Sequence, residues 1–216
     1  MPKRPEPPDP ERHAHEPITV EDADLEYLRK HVIALQRVLQ AKGLVSYGEV
    51  LTEVHKLEET DHSTGQRVVA RAWSDPTFKD RLLRDGKAAV AELGIELGGY
   101  GELQVVENTE TVHHVVVCTT CSCIPSPLTG LTPDWYKAAA YRARVPREPR
   151  AVLREFGLEL PEEVEVKVVD TDVNRRCLVL PRKPAGAEGL TEEQLAQLVT
   201  RDSLFGVGAP AGPVGA

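Results

Sequence analysis

Long hydrophobic runs are missing from this sequence. None of its apolar stretches approaches the roughly 20 residues that a membrane span requires, so a membrane partner is excluded. Clusters of positive charge are missing too. Net charge is −8 and the sequence pI is near 5.4, and no group of Lys and Arg rises above that acidic background, which excludes a nucleic-acid partner. Aromatic residues make up only 5 % of the chain, so the core is expected to be mainly aliphatic. The segment Met1-Pro2-Lys3-Arg4-Pro5 has no apolar stretch behind it and shows no secretory signal. The expected compartment is therefore the reducing cytoplasm. Cysteine is scarce, with four in 216 residues, yet three of them fall within six positions. In that compartment such spacing points to metal or redox chemistry rather than a structural disulfide.

What remains is globular in composition, 41 % hydrophobic and 28 % charged, enough for one substantial domain and an appendage. Residues 1–17 read as a disordered leader, with Pro at 2, 5, 7, 8, 10 and 17; His13 and His15 within it are expected to be solvent-exposed. From Val20 the pattern is helical: Leu25, Leu28, Val32, Leu35 and Leu39, closed by Gly43. A second segment carries Val50, Leu51, Val54 and Leu57. These helices, residues 18–64, either pack on their own domain or form an arm that covers a partner subunit. Asp75-Pro76 opens a further helix, re-aimed at Gly86 and ending near Gly94. Strands are predicted at Leu103–Val106 and Val112–Val117. Another runs through Val164, Val166 and Val168, with Leu178–Leu180 as its neighbour. Thr191 and Gln194 form a capping box for a last helix, and residues 207–216 read as a flexible tail. The expected fold class is α+β: an N-terminal helical arm followed by a layered α-β-β-α metal-binding catalytic domain over residues 65–206.

The run His113-His114-Val115-Val116-Val117 is a β-branched strand that delivers Cys118, Cys121 and Cys123 into a tight turn ended by Pro125. A thioredoxin-type dithiol would open a helix, which Pro125 and the third cysteine oppose. A structural zinc site would need a fourth ligand, from Cys177 or His114. An iron–sulfur cluster generally needs four thiolates. The Cys121-Ser122-Cys123 tripeptide can instead chelate one ion in a plane through two sulfurs and two amide nitrogens. Cys118 would lie axial, and the opposite position would be open to water or substrate. Such ligands suit trivalent cobalt or iron better than zinc. A structural zinc or metal-sensing module is the non-enzymatic alternative.

Val117-Cys118-Thr119-Thr120-Cys121-Ser122-Cys123 resembles the metal claw of nitrile hydratase α subunits. The likeness extends in order through Ala70-Arg71-Ala72-Trp73-Ser74-Asp75-Pro76, Val106-Glu107-Asn108-Thr109, Trp135-Tyr136-Lys137, Tyr141-Arg142-Ala143-Arg144, Arg147-Glu148-Pro149-Arg150, Glu155-Phe156-Gly157-Leu158 and Val199-Thr200-Arg201-Asp202. The γ subunit of thiocyanate hydrolase shares the claw and is the alternative relative. The resemblance implies a non-corrin cobalt(III) ion held by the sulfurs of Cys118, Cys121 and Cys123 and the backbone nitrogens of Ser122 and Cys123. Thr119 is similar to the cobalt class, so iron is the lesser expectation. It implies Cys121, Ser122 and Cys123 as catalytic residues, Cys121 as a sulfinate and Cys123 as a sulfenate, and hydration of a small-molecule nitrile to its amide. It further implies a β subunit, as one chain or two split chains, with a homodimer expected of the chain in isolation. Arg142, Arg144 and Arg176 are local candidates for the cations that such an anionic centre needs.

The sequence departs from the family at several points. Ile124-Pro125-Ser126-Pro127 stands where the family commonly has Tyr-Pro-Trp-Pro, and Thr120 replaces the usual claw Leu. Thr120, Ile124 and Ser126 are therefore the expected substrate pocket, enlarged for a bulky or heteroaromatic nitrile such as a nitrile-bearing nucleoside, unless the partner fills the space. A common glutamine is replaced at Gly99 or Tyr100, and a familiar acidic residue by Asn174.

Overall fold

The computed structural model describes residues 22–58, 61–99 and 101–213, without the side chains of residues 22–25 and 56–58. The expectations for residues 1–17, Val20 and Tyr100, and for the side chains of Leu25 and Leu57, lie outside these. Two helices, α1 (Asp22–Ala41) and α2 (Tyr47–Glu58), form the arm. Gly43, at φ +67°, ends the first. Ser46 and Glu49 cap the second reciprocally: the Ser46 backbone N–H donates to the Glu49 carboxylate at 2.7 Å and the Glu49 N–H to Ser46 Oγ at 3.1 Å. The apolar stripe of α1 faces outward, with Leu28, Val32 and Leu35 each more than half exposed. No described helix is long and apolar enough to cross a membrane.

The domain begins with α3 (Ser63–Ser74), α4 (Pro76–Arg84) and α5 (Gly86–Ala91). The Asp75 carboxylate accepts the N–H groups of Thr77 and Phe78 at 3.0 Å, and Pro76 sits at the first helical position. Strands β1 (Glu102–Glu107) and β2 (Val112–Val117) follow. Four short helices come next: α6 (Ser126–Thr129), α7 (Asp134–Lys137), α8 (Ala139–Arg144) and α9 (Pro149–Glu155). Then come β3 (Glu165–Asp170), β4 (Arg175–Leu180) and α10 (Glu192–Leu198), opened by the Thr191–Gln194 capping box.

The strand pairing differs from the sequence expectation. β4 is the neighbour of β1, not of β3, and β3 pairs with β2; both pairs are parallel. Parallel strands need a long crossover, and residues 118–164 supply it, so β3 returns beside β2. The links at 108–111 and 171–174 are tight. In the second, Asp172 Oδ1 accepts the N–H groups of Asn174 and Arg175 at 2.8 and 3.0 Å. Each link carries the chain from one sheet to the other instead of folding a hairpin within one. Asn174, which stands in place of the family's acidic residue, is part of this turn.

Side chains alternate across β4. Leu178 and Leu180 pack with Val68, Phe78 and Leu82 from α3 and α4, whereas Cys177 and Val179 join Val115, Val117 and Tyr141 on the other face. The layers run α3–α5, β1/β4, β2/β3 and α8–α9. The interior is mainly aliphatic, as the composition predicts, and the second core adds a local aromatic group. Trp135, Tyr136, Tyr141, Phe156 and Phe205 gather there with ring centroids 4.9 to 6.2 Å apart. Few aromatics are present, but they are concentrated.

Residues 207–211 of the predicted loose tail are tied to the domain, and residues 214–216 lie outside the described residues. Val207 is fully buried, Ala211 N–H donates to Leu198 O at 2.7 Å, and Thr200 Oγ1 donates to Ala209 O at 3.0 Å. Gly206 allows this closure. Its φ is +77°, and a Cβ there would lie 1.9 Å from the His114 carbonyl oxygen.

Candidate metal centre

β2 is built from valines that are stiff at χ1 and buried on both faces. Val115, Val116, Val117 and Cys118 are at most 1 % exposed. The ladder to β3 ends at Val117 opposite Asp170, and Thr171 N–H donates to Val117 O at 2.8 Å. From Cys118 the chain leaves the sheet and stays outside helix and strand until Ser126. Asp170 catches it there, accepting the Thr119 N–H at 3.1 Å and the Thr119 hydroxyl at 2.6 Å. The Tyr141 hydroxyl donates to Val116 O at 2.7 Å, and the Tyr136 hydroxyl to Cys123 O at 3.3 Å.

Held in this way, the three sulfurs converge. Cys118 Sγ lies 3.2 Å from Cys121 Sγ, which lies 2.9 Å from Cys123 Sγ, and all three fall within 4.8 Å of one another. These separations exceed the roughly 2.04 Å of a disulfide, and the cysteines are free thiols. Cys118 is buried, Cys123 half-buried and Cys121 exposed, so the group opens to one side. Burial raises the Cys121 thiol, but hydrogen bonds from Cys123, Cys118 and Thr120 and from the Cys123 backbone N–H outweigh it and bring its pKa to about 7. Burial, the hydrogen bond to Cys121 and the charge of Cys118 push Cys123 up to about 12 against the pull of Arg176. The set fits a soft, thiophilic ion: three sulfurs on one point, with the Cys123 amide directed toward the cluster.

Among the described residues no histidine, carboxylate or fourth cysteine joins the three sulfurs. Cys177 is buried on β4, its sulfur 3.7 Å from Gln104 Oε1. His114 turns its ring toward Asn108 Oδ1 at 3.3 Å. Neither supplies the fourth ligand of a tetrahedral zinc site.

Beside the claw lies an open depression of about 260 Å³, formed by Cys121, Ser122 and Cys123 with Ile124, Ser126, Thr132 and Arg176. Two of the three residues expected to line a pocket, Ile124 and Ser126, border it. Thr120 does not; its hydroxyl lies 3.7 Å from Cys118 Sγ and 3.9 Å from Cys121 Sγ. Of the three candidate cations, Arg176 faces the depression from β4, anchored by its donation to Asp172 O at 2.7 Å. Arg142 does not border it. Arg144 is 6 % exposed and committed elsewhere, bonded to Glu148 at 2.6 Å and to Glu155 at 3.0 Å. Sequence reasoning missed Asp170 and Thr132. The register that brings Asp170 beside Val117 leaves no local signature, and Thr132 follows a turn with no periodicity.

The nitrile hydratase alpha-chain family profile matches residues 26–208. The chain is 48 % identical over 190 residues to the low-molecular weight cobalt-containing nitrile hydratase subunit alpha of Rhodococcus rhodochrous, covering 87 % of this chain and 91 % of that one. It is 39 % identical over 210 residues to the thiocyanate hydrolase subunit gamma of Thiobacillus thioparus, covering 90 % and 83 %. Among solved structures, a double mutant of the Fe-type nitrile hydratase from Comamonas testosteroni Ni1 superposes with a TM-score of 0.79 at 39 % identity, covering 91 % of this chain and all of that one.

Proposed function

The chain belongs to the nitrile hydratase α-chain family, and we propose that it carries a non-corrin cobalt(III) centre at which a nitrile is hydrated to the amide. The convergence of three sulfurs at the exit of a buried strand carries this reading. Cys118, Cys121 and Cys123 would bind through sulfur, and Ser122 and Cys123 through their backbone nitrogens. Cobalt is preferred to iron because of Thr119 and the cobalt-containing relative. The ion supplies Lewis acidity that makes a nitrile carbon electrophilic. Cys121 oxidised to the sulfinate and Cys123 to the sulfenate would add anionic oxygens beside the depression, where Arg176 offers the compensating charge. The Cys123 sulfenate oxygen would attack the nitrile carbon and be replaced from water, or a water activated at the centre would attack directly. Either way the elements of one water add across the carbon–nitrogen triple bond, oxygen to carbon and protons to nitrogen.

The depression takes its shape from Ile124 and Ser126, which leave room for a bulky or heteroaromatic nitrile. The exposed stripe of Leu28, Val32 and Leu35 supports a β subunit, as one chain or two, that covers the arm and completes the site. The reducing cytoplasm is the compartment in which the free thiols would be loaded.

Thiocyanate hydrolysis at the same centre is the competing activity. Identity favours the nitrile hydratase, 48 % against 39 %. The test is an assay of the complex with its partner on a heteroaromatic nitrile, on acetonitrile and on thiocyanate. Amide formation with a kcat/KM for the heteroaromatic nitrile at least about tenfold higher supports the reading, a difference of about 1.4 kcal/mol in transition-state binding. Preference for acetonitrile would sink the substrate class, and dominant carbonyl sulfide release would sink the activity.

A further inference from the structure

We propose that Tyr136 is a positioning residue for the metal centre: its buried hydroxyl donates to the Cys123 carbonyl oxygen at 3.3 Å and thereby fixes the backbone of the residue that offers both a sulfur and an amide nitrogen. This rests on the claw reading above and assigns the device that holds the claw in shape.

Residues 118–125 lie outside helix and strand, so no ladder sets the orientation of their peptides. Side chains from elsewhere do so, and the Thr129 hydroxyl holds the Pro125 carbonyl at the far end. Asp170 pins Thr119 near the start and Tyr136 pins Cys123 near the end, with Thr120, Cys121 and Ser122 between the two anchors. Pro125 restricts Ile124 immediately beyond. Rotation about Cys123 would swing its carbonyl away from the phenol and carry the sulfur with it.

Tyr136 is itself rigid. It is fully buried, its ring lies 5.2 Å from Phe205 and 5.7 Å from both Trp135 and Tyr141, and its N–H donates to Pro133 O at 3.1 Å. A carbonyl oxygen only accepts, so the Tyr136 hydroxyl is the donor in its contact with Cys123 O. Tyr141 makes the same kind of bond to Val116 O, but that strand is also held by β3 and by Phe205 O, which accepts the Val116 N–H at 2.9 Å. Tyr141 therefore stabilises the fold, whereas Tyr136 orients a ligand.

The test compares cobalt-loaded complexes carrying wild-type chain, Tyr136→Phe and Tyr141→Phe. Cobalt release to a chelator is measured together with the sulfur-to-cobalt absorption and the melting temperature. Tyr136→Phe is expected to release cobalt about 10- to 100-fold faster, in keeping with loss of a group that orients a metal ligand, and to shift the absorption. Tyr141→Phe is expected to melt at least as low yet to release cobalt near the wild-type rate. Should Tyr136→Phe fail to assemble, 3-fluorotyrosine at position 136 keeps ring and hydroxyl while strengthening the donor, and the absorption must still move. Wild-type release and absorption in Tyr136→Phe, an unmoved band with fluorotyrosine, or release that tracks melting temperature in both variants would overturn the positioning role alone. A wild-type complex without cobalt overturns the metal assignment and this role with it.

Discussion

Asp170 receives two hydrogen bonds from Thr119, the backbone N–H at 3.1 Å and the hydroxyl at 2.6 Å, so the last residue of β3 anchors the first residue after Cys118. The anchor follows from the register that sets Val117 against Asp170. Asp170→Asn keeps the size but removes the charge and one acceptor. Cobalt affinity is expected to fall about tenfold, the lower end for groups that orient metal ligands, with melting little changed. Competition titration against a chelator measures it, and unchanged affinity would contradict the anchor.

A buried histidine gives a pH dependence. His113 Nε2–H donates to Gly206 O at 2.7 Å, because a carbonyl can only accept, so Nδ1 accepts from the Asn108 amide at 3.1 Å. Protonation would set two donors against each other. Burial lowers the His113 pKa despite the opposing Gly206 carbonyl. The folded pKa thus lies below the unfolded value of about 6.5. Stability is complete above that value and is lost as pH falls through it toward the folded pKa, because only the unfolded chain takes up the proton. The stability advantage of wild type over His113→Gln should therefore shrink by about 1 kcal/mol between pH 7.5 and 5.5 in urea unfolding. A constant difference would contradict the assignment.

Arg144 serves the fold rather than the metal. It is 6 % exposed and bridges Glu148 on the turn before α9 and Glu155 at the end of that helix. Its carboxylate partners keep contact with solvent, which limits the loss. Arg144→Gln should cost about 2 kcal/mol, or roughly 4–8 °C in melting temperature for a chain of this size. Calorimetry checks this, and the metal content should remain that of wild type.

The exposed stripe of α1 predicts a different outcome. Leu35→Lys changes a side chain that is 60 % exposed, so the melting of the isolated chain should stay within about 0.5 kcal/mol of wild type. Co-purification with the β partner should fall at least tenfold. Undiminished assembly would mean that the stripe is covered by something else.

Much of this was legible in the sequence because the signals are local. Asp75 and Pro76, Thr191 and Gln194, and the valines of β2 each announce their element through chemistry within a few residues. The three sulfurs were legible for the same reason. Strand pairing was not, because Leu178–Leu180 pattern equally well beside β3 or β1, and the choice is made by the crossover. Asp170, Tyr136 and Thr132 reach the claw only through that crossover. The attachment of residues 207–211 was not legible because the Gly, Ala and Pro residues there carry no periodicity, although Gly206 has a backbone conformation that lets the chain close on His114.

Metal analysis combined with intact mass of the purified complex tests the metal centre most directly. The account predicts one cobalt per chain and three added oxygens on the peptide containing Cys121 and Cys123, two from a sulfinate and one from a sulfenate. Stoichiometric zinc on unmodified cysteines would contradict it.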